Sequence, residues 1–516
     1  MRPPSLLAGL ALASTVLAGV HGAAIAQPEA RFAVSGYQVQ GDNPLGGDDT
    51  ARLLAPYTGE AVTLDRLREA AAALEAALKE RGYGFVRVVV PPQDASGTIA
   101  LRVLSFRLGA VNIAGNTRFD TANFRRSLPT LVPGESPNLR DIARNQAHVN
   151  DHPAKRVEVT MKQGKAPDTV DADVKVEDSD PLQFFATLNN SGSGNTGRWR
   201  LGLGASHANL FDRDHALTAT WSTSPGYSSR IQQYGAYYRA PFYALGGTLS
   251  AYYTRSDSDS GTVAEFFQVS GRGQFMGLRW TQRFAPIGAW SHAADIGIED
   301  RLFENNVAFN GAPLGVDVRS RPLLLRHEGR YDGADFQLGH ALEFAGNLGG
   351  GRANTAAGYT GNRAGATKNW QALRYSLQGS KLLSGWVASA RLRGQWSGDA
   401  LIGGEQFGIG GASLVRGLEE REGSGDIGHV ISAELTTPAL AEGLRALAFV
   451  DAGRVRLRAA GGAAGSSQRA ASLGAGLRWQ WQKQLSLSMD WAHVFDAAGG
   501  LRRGDERLHL SLALRF

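Results

Sequence analysis

The chain has 516 residues and no Cys, which excludes disulfides, thiolate metal sites and cysteine nucleophiles. Its net charge of +6 is spread thinly, with no Lys/Arg block of five or six, so nucleic acid is not an expected partner. Apolar residues make up 43%, too many for a disordered chain, yet no set of ~20-residue apolar runs appears, so a bundle of membrane-spanning helices is excluded.

The first pattern is an address. Arg2 precedes one apolar run, Leu6 to Val20, and small residues surround Ala24-Ile25-Ala26. That layout predicts a secretory signal peptide over residues 1–26, cut after Ala26, and hence an exported protein.

Two repeats follow, over 31–105 and 106–178. The segments Tyr37-Gln38-Val39-Gln40-Gly41 and Val111-Asn112-Ile113-Ala114-Gly115 align at a fixed offset. Each opens on a strand pattern and continues through two helical stretches and two strands. In the first unit Leu64, Leu67, Ala71, Leu74 and Leu78 recur at three- and four-residue steps, an amphipathic helix with Thr63 as its N-cap and Gly82 as its stop. Three strands against two helices make a small two-layer α+β domain, whose edge strand and helix–sheet groove can accept an extended peptide by strand addition.

The composition changes at Asp178-Ser179-Asp180-Pro181. All ten Trp lie beyond it, and no convincing long helix does. Residues 181–516 hold sixteen strand candidates, from 184–190 to 508–516, with 265–284 read as one long strand. Leu508, Leu510, Leu512, Leu514 and Phe516 share one face of the last strand, opposite His509, Ser511, Ala513 and Arg515. Leu485, Leu487, Met489 and Trp491 likewise oppose Ser486, Ser488 and Asp490. Period-two patterns with one polar face predict an antiparallel, all-β, closed transmembrane barrel with lipid outside and a wet lumen. Long connections (304–318, 347–369, 397–426) follow odd strands and short ones (332–335, 481–484) follow even strands. That parity puts loops outside the cell and the N-terminal repeats in the periplasm. Trp221, Trp370, Trp386, Trp396 and Trp479, near strand ends, suit interfacial girdles.

Three local features remain. The loop 397–426 carries a Gly-rich hairpin, Gly410-Gly411-Ala412-Ser413-Leu414-Val415-Arg416-Gly417-Leu418, able to fold back into a lumen. Phe449-Val450-Asp451-Ala452-Gly453 places a carboxylate on the face it shares with Phe449 and Gly453. Arg416 can hold such a carboxylate bidentately, but spacing alone equally allows a solvated loop Arg and an unrelated lumen Asp. Third, the chain ends on Phe516.

Together these residues resemble the TpsB-type transporters of two-partner secretion, the ShlB/FhaC/HecB-like haemolysin and filamentous-haemagglutinin exporters of the POTRA-barrel superfamily. Val415-Arg416-Gly417-Leu418 resembles that family's Val-Arg-Gly-aromatic hairpin motif, with Leu418 in the aromatic place, and Phe449-Val450-Asp451-Ala452-Gly453 matches its Phe-x-Asp-x-Gly strand motif. The resemblance implies two periplasmic POTRA domains, a sixteen-stranded outer-membrane barrel, and an Arg416–Asp451 pair inside it. It also implies a barrel-assembly signal in Leu512, Leu514 and Phe516, read by the barrel-assembly machinery during biogenesis. The implied function is export of an unfolded TpsA-like exoprotein through the barrel, without a cofactor. Only Gln27 to Ala30 separate the predicted cleavage site from the first repeat, so a plug helix is not expected and gating rests on the hairpin. No enzyme or metal site emerges: there is no His-Glu-x-x-His helix, Gly-x-Ser-x-Gly elbow or phosphate loop. Asp257 and Asp259 read as a polar outer loop. A barrel-assembly insertase and a passive pore are the competing functions.

Overall fold

The computed structural model describes residues 30–516, except 95–96, 194–195, 230, 258–260, 264–266, 270–271, 305–307, 310–311 and 314–315. The proposed signal peptide and Asp259 lie outside the described residues.

The first module is a four-stranded sheet packed by two helices. Its elements are β1 (Arg31–Gln40), α1 (Gly47–Leu54), β2 (Gly59–Thr63), α2 (Leu64–Glu80), β3 (Val86–Val89) and β4 (Gly97–Ser105), with sheet order β2-β1-β4-β3. Thr63 Oγ1 accepts from Arg66 N at 3.2 Å and caps α2. Leu67, Ala71, Leu74 and Leu78 are buried, as their spacing predicts, whereas Leu64 stays 44% exposed. Strand β2 was not legible in the sequence: it is short, and only Val62 is buried.

The second module repeats the plan with one strand fewer. It comprises β5 (Arg107–Ala114), α3 (Thr121–Ser127), α4 (Leu139–Val149), β6 (Lys155–Gln163) and β7 (Thr169–Asp178), ordered β5-β7-β6. In each module the first strand runs parallel to the last. The aligned glycines have equivalent surroundings. Gly41 (φ +91°) and Gly115 (φ +100°) would put a Cβ 2.5 Å from Val103 O and 2.3 Å from Val176 O. Only Gly fits a left-handed bend this close to another strand.

From Leu182 the chain forms a closed antiparallel barrel. Val318–Ser320 and Pro322–Asp332 both pair with Trp290–Phe303 and are one interrupted strand, so the barrel has sixteen. The last strand, Glu506–Arg515, closes on the first, Leu182–Asn189. Side chains alternate as the sequence predicts: Ile431, Val450, Leu473 and Trp491 are 45–53% exposed on the outer face, while Ser432, Asp451, Ser472 and Asp490 are buried. The long candidate 265–284 is corrected. The barrel strand begins at Gly273, and Phe267–Val269 belongs to a separate small hairpin with Gly261–Val263. Trp370 is also corrected: it is fully buried against Tyr359, Leu401 and Ile402 rather than placed in a girdle.

Candidate functional site

The hairpin of the 397–426 loop sits inside the barrel. A two-strand ladder, Phe407–Ile409 with Gly423–Gly425, carries its tip. Ile409, Val415 and Leu418 are buried against Val430, Val455, Ala470 and Val494 of the wall. Leu418, in the aromatic place of the motif, is fully buried and fills its seat as an aliphatic side chain.

This packing brings Arg416 to Asp451. Arg416 Nε donates to Asp451 Oδ2 and Nη2 to Oδ1, each at 2.7 Å, and the Arg416 N–H donates to Oδ2 at 3.1 Å. Ser432 Oγ donates to Asp451 Oδ1 at 2.6 Å. Glu434 lies 2.9 Å from Arg416 Nη2, and Phe449 stacks on the guanidinium with its ring centroid 3.3 Å from Cζ. Gly453 gives the hairpin room: a Cβ there would stand 2.8 Å from Val415 Cγ2. Gly417 (φ +99°) donates its N–H to His509 Nε2 at 3.0 Å. The pair was expected in a wet lumen. Arg416 is 3% exposed and Asp451 0%, because apolar hairpin residues cover them.

Sequence reasoning missed two further anchors of the same loop. Glu405, fully buried at its side chain, accepts from Arg301 Nη1 at 2.6 Å and Arg374 Nη2 at 3.1 Å. Asp426 binds Arg363 Nη1 and Nη2 at 2.5 and 3.0 Å and accepts from the Leu401 and Arg458 N–H groups. Arg363 directly follows α5 (Ala356–Asn362), a helix of the neighbouring outer loop. No local motif announces these pairs, since each joins residues far apart in sequence, Glu405 to two barrel strands and Asp426 to the neighbouring loop.

At the periplasmic end the second module is bolted to the barrel turns. Lys155 is completely buried and pairs with Asp214, in the turn after the second barrel strand, Arg200–Leu210. Lys155 Nζ also donates to Asn123 Oδ1 and Ser127 Oγ, both at 2.7 Å. Asp214 further accepts from Ser127 Oγ and Tyr243 OH at 2.8 Å and Asn123 Nδ2 at 2.9 Å. Burial works against the carboxylate, but Lys155 and these donors outweigh it and hold Asp214 below its usual range. His152 Nδ1 accepts from Ala154 N while Nε2 faces Ala208 O at 2.7 Å, which fixes the neutral Nε2–H tautomer. Burial pushes His152 down to about 4 and His148, whose Nε2 meets Thr248 Oγ1 at 2.8 Å, down to about 3.

In the first module a groove of about 880 Å³ runs between α2 and the edge strand β3, lined by Leu67, Ala71, Ala72, Glu75, Ala76 and Val88 among others.

Leu512 and Leu514 lie on the closing strand, Glu506–Arg515, and Phe516 directly follows it. Leu512 pairs with Leu188 and Leu514 with Ala186, and Phe516 exchanges backbone hydrogen bonds with Phe184 while its ring is 70% exposed.

The model of the family described as "Haemolysin secretion/activation protein ShlB/FhaC/HecB" matches residues 169–479. The chain belongs to this family. Residues 32–105 match a POTRA domain of the ShlB type. The heme/hemopexin transporter protein HuxB of Haemophilus influenzae is 22% identical over 400 residues, 75% of this chain and 68% of its own. The outer membrane transporter CdiB of Escherichia coli is 25% identical over 429 residues, 78% of this chain and 69% of its own. In fold, the solved CdiB from Escherichia coli superposes with a TM-score of 0.74 at 19% identity, covering 96% of this chain and 92% of that one. CdiB from Acinetobacter baumannii gives 0.68 at 17% identity, over 95% and 91%. The family member described here is therefore an outer-membrane transporter that secretes a partner protein, with POTRA structure on the periplasmic side and a barrel in the membrane.

Proposed function

We propose that the first-module groove captures the exported chain, that residues 106–178 are a second POTRA unit, and that the chain leaves through a lumen whose resting occupant is the 397–426 hairpin. Residues 1–26 direct the chain out of the cytoplasm. An unfolded TpsA-like exoprotein is captured in extended form along β3, by strand addition and apolar contacts. The barrel's apolar outer face is solvated by outer-membrane lipid, and Leu512, Leu514 and Phe516 are the segment read by the assembly machinery. No nucleotide-binding loop is present in the sequence, so directionality comes from folding outside, which depletes the unfolded population.

The observation that carries this reading is the buried bidentate Arg416–Asp451 pair at the hairpin tip. A plug that must leave and return needs a seat that is specific yet exchangeable. Against apolar residues of equal volume a buried ion pair adds little, but removing one partner strands a charge and costs about 3–5 kcal/mol. Arg416→Ala and Asp451→Ala should each lower secretion of the cognate exoprotein at least tenfold, while heat-modifiable barrel still reaches the outer membrane. Wild-type secretion by both variants overturns the role. Deleting the protein should trap one specific exoprotein in the periplasm; general loss of barrels would indicate an insertase, and loss of small-solute uptake a passive pore.

A further inference from the structure

We propose that the free edge of the first module's sheet is held shut by two of its own side chains, Glu75 and Gln93, which stand in for a strand, and that the secreted partner binds by displacing them. The inference rests on the groove being the partner's site; it adds how that site is kept unoccupied and what the occupant must bring.

Among the described residues, strand β3 is the outer strand of its sheet, and one row of its backbone groups has no neighbouring strand. The Val88 N–H in that row donates to Glu75 Oε2 at 3.0 Å, reaching across to α2. Lys79 Nζ holds the other carboxylate oxygen at 2.5 Å. Beyond Val89 the strand stops at Pro91-Pro92, which carry no N–H, and β4 runs on with its flank open. There the Gln93 side-chain amide accepts from Ala100 N at 2.7 Å and donates to Ala100 O at 2.8 Å. One amide thus satisfies both backbone groups of one residue, as a partner residue in a ladder would. Glu75 and Gln93 both line the groove.

A bare edge invites pairing with any extended chain, and natural sheets blunt it with charges and prolines. Both devices are present here, and the charged one is reversible. When Val88 is taken by an incoming carbonyl, Glu75 keeps Lys79 and is not left uncompensated. The exchange therefore trades one hydrogen bond for another, and the ladder beyond it supplies the gain. Alternate side chains of the occupant would face Ala71, Ala72 and Ala76, a wall low enough for β-branched residues. The occupant is an uncharged, β-forming stretch of the secreted chain, short because Pro91 ends the strand.

The probe is a fluorescent, end-blocked heptapeptide of alternating threonine and valine, titrated onto the full-length protein in detergent by anisotropy. Glu75→Ala should tighten binding at least fivefold over wild type, with Glu75→Gln between them, and should speed amide exchange at Val88. Ala72→Trp, which fills the groove, should abolish binding. Equal binding by wild type and Glu75→Ala, with Ala72→Trp still defective, overturns the latch but leaves the groove reading standing. Undiminished binding by Ala72→Trp, or binding by none of the proteins, overturns the groove reading itself.

Discussion

Arg416 is read by three acidic side chains, not one: Asp451 bidentately, Glu434 at 2.9 Å and Asp490 at 3.9 Å. A planar guanidinium can satisfy this set and stack on Phe449 at once, which an ammonium cannot. Arg416→Lys should therefore behave nearly as badly as Arg416→Ala in secretion, despite keeping the charge; secretion within twofold of wild type would contradict the geometry. Gly417 is equally constrained. Its φ of +99° disfavours any side chain, and a Cβ would stand 2.8 Å from Val494 Cγ2. Gly417→Ala should loosen the hairpin by about 1–3 kcal/mol. The measurement is conductance in planar bilayers, where openings should be more frequent than in wild type.

Among the elements, the second module and the first barrel turns share one buried polar knot, so they should loosen together. Lys155→Ala leaves Asp214 buried without its cation, a loss of about 3–5 kcal/mol. Amide exchange should then rise in α3, α4 and the 211–214 turn while the barrel strands stay protected; unchanged exchange in α3 would show the knot to be dispensable. The elements were far more legible in the sequence than this knot. The alternation read over Leu485 to Trp491 and Leu508 to Leu514 falls on the last two strands, Leu485–Ala498 and Glu506–Arg515, since alternation is a local record of which face meets lipid. Arg416 and Asp451 could be paired only through the family's motifs, spacing alone leaving the question open. Lys155, Asp214, Glu405 and Asp426 carry no such record. Each is an ordinary polar residue until a distant loop arrives beside it. Trp370 was misplaced for the same reason: a strand-end Trp faces lipid only if no loop folds inward over it, and here 348–370 and 397–402 do.

For the whole molecule, the alternation of short turns and long loops fixes direction. The turns 211–214 and 243–246, both after even strands, meet the second module through Asp214, which accepts from Asn123, and Tyr243, whose ring lies 4.9 Å from that of His148. That grip should depend on acidity. His148 and His152 are pushed down to about 3 and about 4 when docked, whereas a free imidazole titrates near 6.5. The docked form binds fewer protons, so its stability is complete above about pH 6.5 and is lost as pH falls toward the docked values. Each His contributes about 1.4 kcal/mol per pH unit within that window. Protection of α4, corrected for intrinsic exchange, should fall between pH 7 and pH 4.5; a flat profile would exclude the coupling. Trp370 offers a way to watch the opposite end. It is fully sealed and donates from Nε1 to Tyr359 OH at 3.3 Å, while Trp386, Trp396, Trp481 and Trp491 are at least 41% exposed on the outer face. With the other indoles silenced, its emission would start blue and shift red when water enters, an intrinsic lamp that brightens or dims with each passage of cargo.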